Sequence, residues 1–218
     1  ASVYFTKSKA GISLLDLSTG EFLTTEGTPS TVDKLLNSFQ PKEVLYPKGS
    51  EALFHELFGN KYYTYPVEAW FFEPDSSEDR LKKHFDVSSL KGFGIDKLEC
   101  GIAASGAILY YLDMTKHELV GHITSIGRID ESTCVLLDRF TLRNLEILES
   151  LHEGGCSLTD IIDRTITPMG SRMLRRWICM PLKSPEEINQ RLDIVESFIQ
   201  HETERLELEQ LLRIIGDL

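Results

Sequence analysis

The chain has 218 residues, 41% of them hydrophobic and 26% charged, a balance that supports a buried core in one large or two small domains. Its net charge of -11 disfavours a stand-alone duplex-DNA binder, because phosphate affinity rests on Lys and Arg. The most apolar run, Ile102 to Leu112, is interrupted by Ser105 and falls short of the roughly 20 residues a membrane span requires, and the start of the chain lacks a signal-peptide pattern.

The first part alternates between strand and helix signals. Val3 to Phe5, Ile12 to Leu17 and Glu21 to Thr24 read as strands, the last two joined by a turn at Ser18, Thr19 and Gly20. Thr28 caps a helix with Pro29 in its first turn and Val32, Leu35, Leu36 and Phe39 on one face, stopped at Gln40 and Pro41. Glu43 to Tyr46 is a strand. Ser50 caps a helix that buries Leu53, Phe54, Leu57 and Phe58, and Gly59 closes it. Lys61 to Tyr65 is a further strand before Pro66. Asp75 to Phe85 reads as a polar helix anchored by Leu81 and Phe85. A loop through Gly92, Phe93 and Gly94 leads to a helix from about Gly101 to Thr115, whose small residues let it lie close to the sheet.

Beyond Thr115 the pattern turns helical. Asp138 starts a helix with Leu142, Leu145, Leu148 and Leu151 at helical spacing, ended by Gly154 and Gly155. Ser157 to Asp160 resembles a capping box, Thr167 and Pro168 open another helix that Pro181 stops, and Ser184 to Glu187 marks the clearest helix start. Ile188, Leu192, Val195 and Ile199 are the expected buried face of that last helix, and a charged helix from about Glu202 is expected to reach Leu218. The boundary segment, Lys116 to Thr133, is polar and is expected to open readily. A chain that starts beside a strand and ends inside a helix suggests a piece of a longer protein.

The fold class expected is therefore α/β plus all-α, with residues 1–117 as one domain and 118–218 as the other. Cys100, Cys134, Cys156 and Cys179 form no CxxC pair, and His55, His84, His117, His122, His152 and His201 show no ligand spacing. Reduced, packed thiols in a cytoplasmic protein are expected, with no metal. Ser105 lacks the setting of a nucleophile and reads as helix packing.

Several stretches carry a family resemblance. LDRFTLRNLE, Leu137 to Glu146, and TITPMGSRMLRRW, Thr165 to Trp177, resemble the start of the core domain of the MutS-type DNA mismatch-repair family, as do Met180 to Leu182 and Glu187 to Val195. LDLSTGEF, Leu15 to Phe22, together with Pro41 to Tyr46 and the Gly92 to Gly94 loop, more diffusely resembles the family's connector domain.

The resemblance implies a ribonuclease H-like mixed-sheet connector followed by a truncated helical core. It implies an intact homodimer that binds mismatched double-stranded DNA in an ATP-dependent way and recruits MutL. The ATP and Mg sites would lie in an ATPase domain outside this chain, which has no GxxxxGK[ST] phosphate loop. No catalytic, cofactor or metal residue is expected here, and the chain is expected to act as a non-catalytic module. The structural family motif is Asn144, Thr167, Pro168, Met169, Gly170, Ser171, Arg172 and Trp177.

Arg172, Arg175 and Arg176 share one side of their helix, with Met169, Met173, Leu174, Trp177 and Ile178 expected in the core. The alternative is a metal-dependent nuclease on the ribonuclease H-like sheet. It would need several acids converging on Asp16, and neither Asp33 nor Glu43 falls where it would join them. The polar helix is the expected MutL-docking element. Glu78, Asp79, Arg80 and Lys82 are its candidate partner-binding residues, and Ser77 and Lys83 are also expected at the surface. Reversing Glu78 and Arg80 is then expected to weaken capture with little change in melting temperature.

Overall fold

Apolar alternation in the first 27 residues becomes an antiparallel meander. β1 (Ser2–Phe5), β2 (Ala10–Asp16) and β3 (Glu21–Gly27) pair in succession, with Val3 opposite Ile12 and Leu14 opposite Leu23. Gly20, at φ 73°, closes the β2–β3 turn by donating its N–H to the Asp16 carbonyl. α1 (Pro29–Phe39) begins where the Thr28 hydroxyl accepts the Thr31 N–H. It delivers the chain to β4 (Val44–Pro47), parallel to β1. α2 (Glu51–Phe58) then leads to β5 (Thr64–Val67), parallel to β4.

A 3-10 turn at Ala69–Phe72, α3 (Pro74–Phe85), a second 3-10 turn at Leu90–Phe93 and α4 (Glu99–Met114) follow. β6 (Gly127–Arg128) then adds to β3 in parallel. The sheet order is β5-β4-β1-β2-β3-β6. The computed structural model describes residues 1–117, 120–130 and 132–217. It comprises two units, 1–36 with 40–129 and 37–39 with 130–217. No helix among the described residues is long and apolar enough to cross a membrane.

α4 is buried nearly all round, as its composition of Gly, Ala and aliphatic residues dictates. A Cβ on Gly11 would lie 2.2 Å from the Cys100 carbonyl carbon, so only glycine lets β2 meet the start of α4. On the other side, a Cβ on Gly106 would lie 2.3 Å from the Ser77 side chain. Polar groups trapped in this contact are partnered. The Ser105 hydroxyl, with its single proton, lies 2.7 Å from the Gly101 carbonyl oxygen and 3.0 Å from the Ser13 hydroxyl, and Thr24 donates to the Ile12 carbonyl. Glu26 accepts the Cys100 N–H at 2.8 Å, placing a carboxylate where the dipole of α4 favours one, and also pairs with Lys9.

The structure corrects several expectations in this unit. β5 begins at Thr64 rather than Lys61 and includes Pro66, which the sheet tolerates because β5 is an edge strand. Ser50 precedes α2 without a capping bond from its side chain, and Leu53 and Leu57 are only half-buried, leaving Phe54 and Phe58 as the buried anchors. Ser77 is fully buried rather than exposed. Far from being an open polar linker, the boundary segment sends Ile123 and Ile126 into the core and pairs Gly127 and Arg128 with the sheet. Glu118, Leu119, Glu131 and Leu218 lie outside the described residues, and with them the expected helical end at Leu218.

The second unit contains α5 (Arg139–Asn144), α6 (Leu158–Ile162), α7 (Pro168–Cys179), α8 (Pro185–Gln200) and α9 (Glu202–Leu212). Ser157 and Asp160 form the reciprocal capping box of α6, and Ser184 caps α8 by accepting the Glu187 N–H. The expected long helix from Asp138 instead stops at Asn144. Glu146 turns left-handed at φ 48°, its carboxylate accepts the Leu151 N–H, and its carbonyl accepts the Leu158 N–H.

Leu142 and Ile147 are buried there, while Leu145 and Leu151 are exposed. The expected core face of α8 is also exposed, since Ile188, Leu192, Val195 and Ile199 find no cover among the described residues. α9 ends at Leu212. In α7 only Cys179 is buried, Met173 is exposed, and Trp177 remains 37% exposed, so Trp177 is not the fully buried anchor its spacing suggests.

Candidate functional site

α3 is held by Leu81, which is fully buried, and by Phe85, which packs on Phe22 and Phe93. The buried Ser77 donates to the Phe71 carbonyl at 3.3 Å. This leaves Glu78, Asp79, Arg80, Lys82 and Lys83 along the outer side, though not equivalently. Asp79 and Lys83 are exposed, whereas the other three are half-buried. Glu78 and Lys82 pair at 2.6 Å across one helical turn, and this hydrogen bond raises the Lys82 pKa.

Arg80 is committed to its own fold. Its guanidinium lies 3.6 Å from the Tyr110 ring centroid and forms an ion pair with Asp113, both on α4. Tyr110 and Asp113 are three residues apart and so share the face of α4 that meets α3. A cleft of about 540 Å³ follows this seam, lined by Asp79, Arg80, Lys83, His84, Tyr110 and Asp113. His84 hydrogen-bonds through Nε2 to the Ile123 carbonyl at 2.9 Å, which makes Nε2 the donor. Of the candidate partner-binding residues, Asp79 is exposed and Glu78 pairs with Lys82, while Arg80 turns toward α4. The sequence alone does not disclose that Arg80 stacks on an aromatic ring thirty positions further along the chain.

The family motif builds a helix start around a residue that sequence reasoning passed over. The Asp163 carboxylate accepts the Thr165 N–H at 3.0 Å, the Thr165 hydroxyl at 2.6 Å and the Ser171 hydroxyl at 2.5 Å. The Ser171 and Thr165 bonds hold the Asp163 carboxyl below the usual range. Its signal was an Asp two residues before a Thr, the pattern of a side chain bonding its own turn.

Thr167 accepts the Gly170 N–H at 3.0 Å, and Pro168 occupies the first turn of α7. A Cβ on Gly170 would come within 3.0 Å of the Thr167 hydroxyl. Arg172 makes two 2.9 Å bonds to the Asp217 carboxylate, and Arg191 stacks on Trp177 at 3.8 Å. Met169 is half-buried. Asn144 is exposed at the end of α5, apart from the Asp163 cluster.

Asp16 sits in its turn, accepting the Ser18 N–H at 3.0 Å, and Thr19 accepts the Glu21 N–H. Tyr111 donates to Glu43 at 2.9 Å. Among the described residues no three His, Cys, Asp or Glu side chains assemble as a metal-binding group. The nuclease alternative finds no support in this geometry.

Comparison with known proteins agrees with the resemblance on both units. Residues 1–124 match the family model of MutS domain II, and residues 140–218 match that of MutS domain III. The whole chain aligns with curated proteins called DNA mismatch repair protein MutS, at 51% identity in Phocaeicola vulgatus, 52% in Bacteroides fragilis and 47% in Flavobacterium psychrophilum. It spans 25% of the length of the first two of these relatives. The chain belongs to the MutS family and consists of its connector and core regions, domains II and III.

Proposed function

We propose that this chain is a non-catalytic coupling module of a mismatch-recognition protein, and that its connector domain offers a docking surface to MutL. The intact protein binds mismatched duplex DNA as a homodimer, and its ATP and Mg sites lie in a separate ATPase domain. Repair of chromosomal DNA places it in the cytoplasm. The first unit is read as ribonuclease H-like. In support, β2 runs opposite to every other strand of the sheet, with β1, β4 and β5 stepping away in parallel on one side. The observation that carries the functional reading is the pair of family matches, one on each unit.

The docking residues proposed are Glu78, Asp79, Arg80 and Lys82, with Asp79 the most accessible and Arg80 held in place by Tyr110 and Asp113. A mixed-charge helix side of this kind sets approach rate and register through complementarity. The test is capture of the chain on immobilised MutL. Reversing Glu78 and Asp79 to Lys should weaken capture at low salt. The difference should shrink as salt rises, because exposed charges are screened beyond about 10 Å at 0.1 M. Capture unchanged by the reversal at every salt concentration removes α3 from the interface, and no capture of the unaltered chain refutes the docking reading.

A further inference from the structure

The 3-10 turn Ala69–Phe72 presents an aromatic side chain that the core does not need. Its Phe71 and Phe72 are buried, but Trp70 is 54% exposed. The indole is fixed rather than loose, packing edge-on against Phe71 at 4.5 Å and Tyr110 at 5.1 Å between ring centroids. Tyr65 of the edge strand β5 and Tyr111 of α4 form a further ring pair, 5.6 Å apart. Trp, Tyr and Arg are the residues over-represented among the few that dominate binding energy at protein interfaces.

The charged residues that flank Trp70 along the chain are acidic, while the Arg80 guanidinium is already taken up by Tyr110, the ring Trp70 packs against. Glu68 and Glu73 cap the two ends of the turn and Asp75 follows in the first turn of α3, all three exposed. Glu68 is shared with Lys48 in a solvent-exposed pair. No salt bridge holds Glu73 or Asp75 among the described residues. The neighbouring ring shows what this combination accepts. Tyr110, with Asp113 one turn along, already carries the guanidinium of Arg80 on its face. Trp70 is followed three positions on by Glu73, whose N–H donates to the Trp70 carbonyl, the same ring-to-carboxylate spacing as Tyr110 and Asp113, and Trp70 still has exposed surface.

We infer that Trp70, rimmed by Glu68, Glu73 and Asp75, is a docking slot for an arginine or lysine side chain on a basic segment of a partner protein. An aromatic face attracts a cation through its quadrupole, and the carboxylates add complementarity that an anionic ligand would lack. The inference goes beyond the MutL reading and requires no particular partner. Its test uses a peptide, so either idea can fail without the other.

The experiment follows the backbone amide signals of Ala69 to Glu73 in the 218-residue chain during titration with a capped arginine-containing peptide. The control is the same peptide with citrulline, which keeps the shape and loses the charge. Saturable shifts with the arginine peptide and markedly weaker ones with citrulline are expected. Trp70→Leu, which keeps apolar bulk against Phe71 and Tyr110, should weaken binding about tenfold, equivalent to about 1.4 kcal/mol. The surface variant Glu73→Gln, which does not touch the core, should weaken it about threefold. Equal response to both peptides, binding unaffected by either variant, or preferential shifts with a single-stranded oligonucleotide would overturn the inference.

Discussion

Arg80→Glu separates folding from docking on α3. The side chain now lies over Tyr110 and pairs with Asp113, so reversing its charge removes two contacts and sets a carboxylate toward another carboxylate. The stack is worth about 0.5–1 kcal/mol where the cation is partly solvated. The ion pair contributes about 0.2–1 kcal/mol, nearer the lower end because the Asp113 side chain is 62% exposed. With a few tenths more from repulsion, the loss comes to roughly 1–2 kcal/mol. That lowers the melting temperature by roughly 3–8 °C for a unit of this size.

Glu78→Lys changes only a surface pair and should move stability by less than about 0.5 kcal/mol. Thermal and urea unfolding of both variants give the comparison. A cycle of Arg80→Met, Asp113→Asn and the double variant isolates the ion pair, with a coupling of about 0.5 kcal/mol expected. An Arg80→Glu variant that melts with the unaltered chain, together with zero coupling, would refute this account. It would also restore the sequence-based expectation that reversal at Arg80 spares the fold.

Three other outcomes are expected. Gly11→Ala should destabilise the first unit by about 3 kcal/mol or more in urea titration, because the new methyl meets backbone of α4 rather than a mobile side chain. Gly92→Ala, facing open space, should be neutral or slightly stabilising. In alkali, burial and the bond to Glu43 push the Tyr111 pKa up to about 12, above its ordinary 10. The folded state therefore holds that proton more tightly, and its stabilisation is complete below pH 10 and lost as pH rises toward 12. Tyr111→Phe should flatten that part of the stability–pH curve, and an unchanged slope would count against the bond.

The elements of the first unit were legible because its signals are local and agree with its packing. Thr28 and Pro29 announce α1, the Ser18–Gly20 turn announces the β2–β3 hairpin, and the small residues of α4 announce close contact with the sheet. β6 was not legible, since two residues make no period and Gly127 and Arg128 pair only because β3 leaves an edge. In the second unit, helical spacing overreached. The leucines after Asp138 fit one face, yet the capping demands of α6 and the left-handed Glu146 break the helix. Ile188 to Ile199 have the period of a buried face, but period reports amphipathicity and cannot supply the surface that covers it. On α3 the charges were visible, while Arg80's ring partner on α4 was not, because pairing across 30 residues leaves no local mark.

The seating of β6 also has a mechanical consequence. The chain does not leave the first unit through a slack tether. Before residue 130 it is clipped to the sheet edge, with Leu23 beside Gly127, Thr24 beside Arg128, and the Ile129 N–H donating to the Thr24 carbonyl at 2.9 Å. Tension applied to the chain just beyond residue 129 therefore loads these backbone bonds in shear, ahead of the seats of Ile123 and Ile126. A displacement at that point is delivered to β3, and through it to the strand pair β2–β3 on which α4 rests.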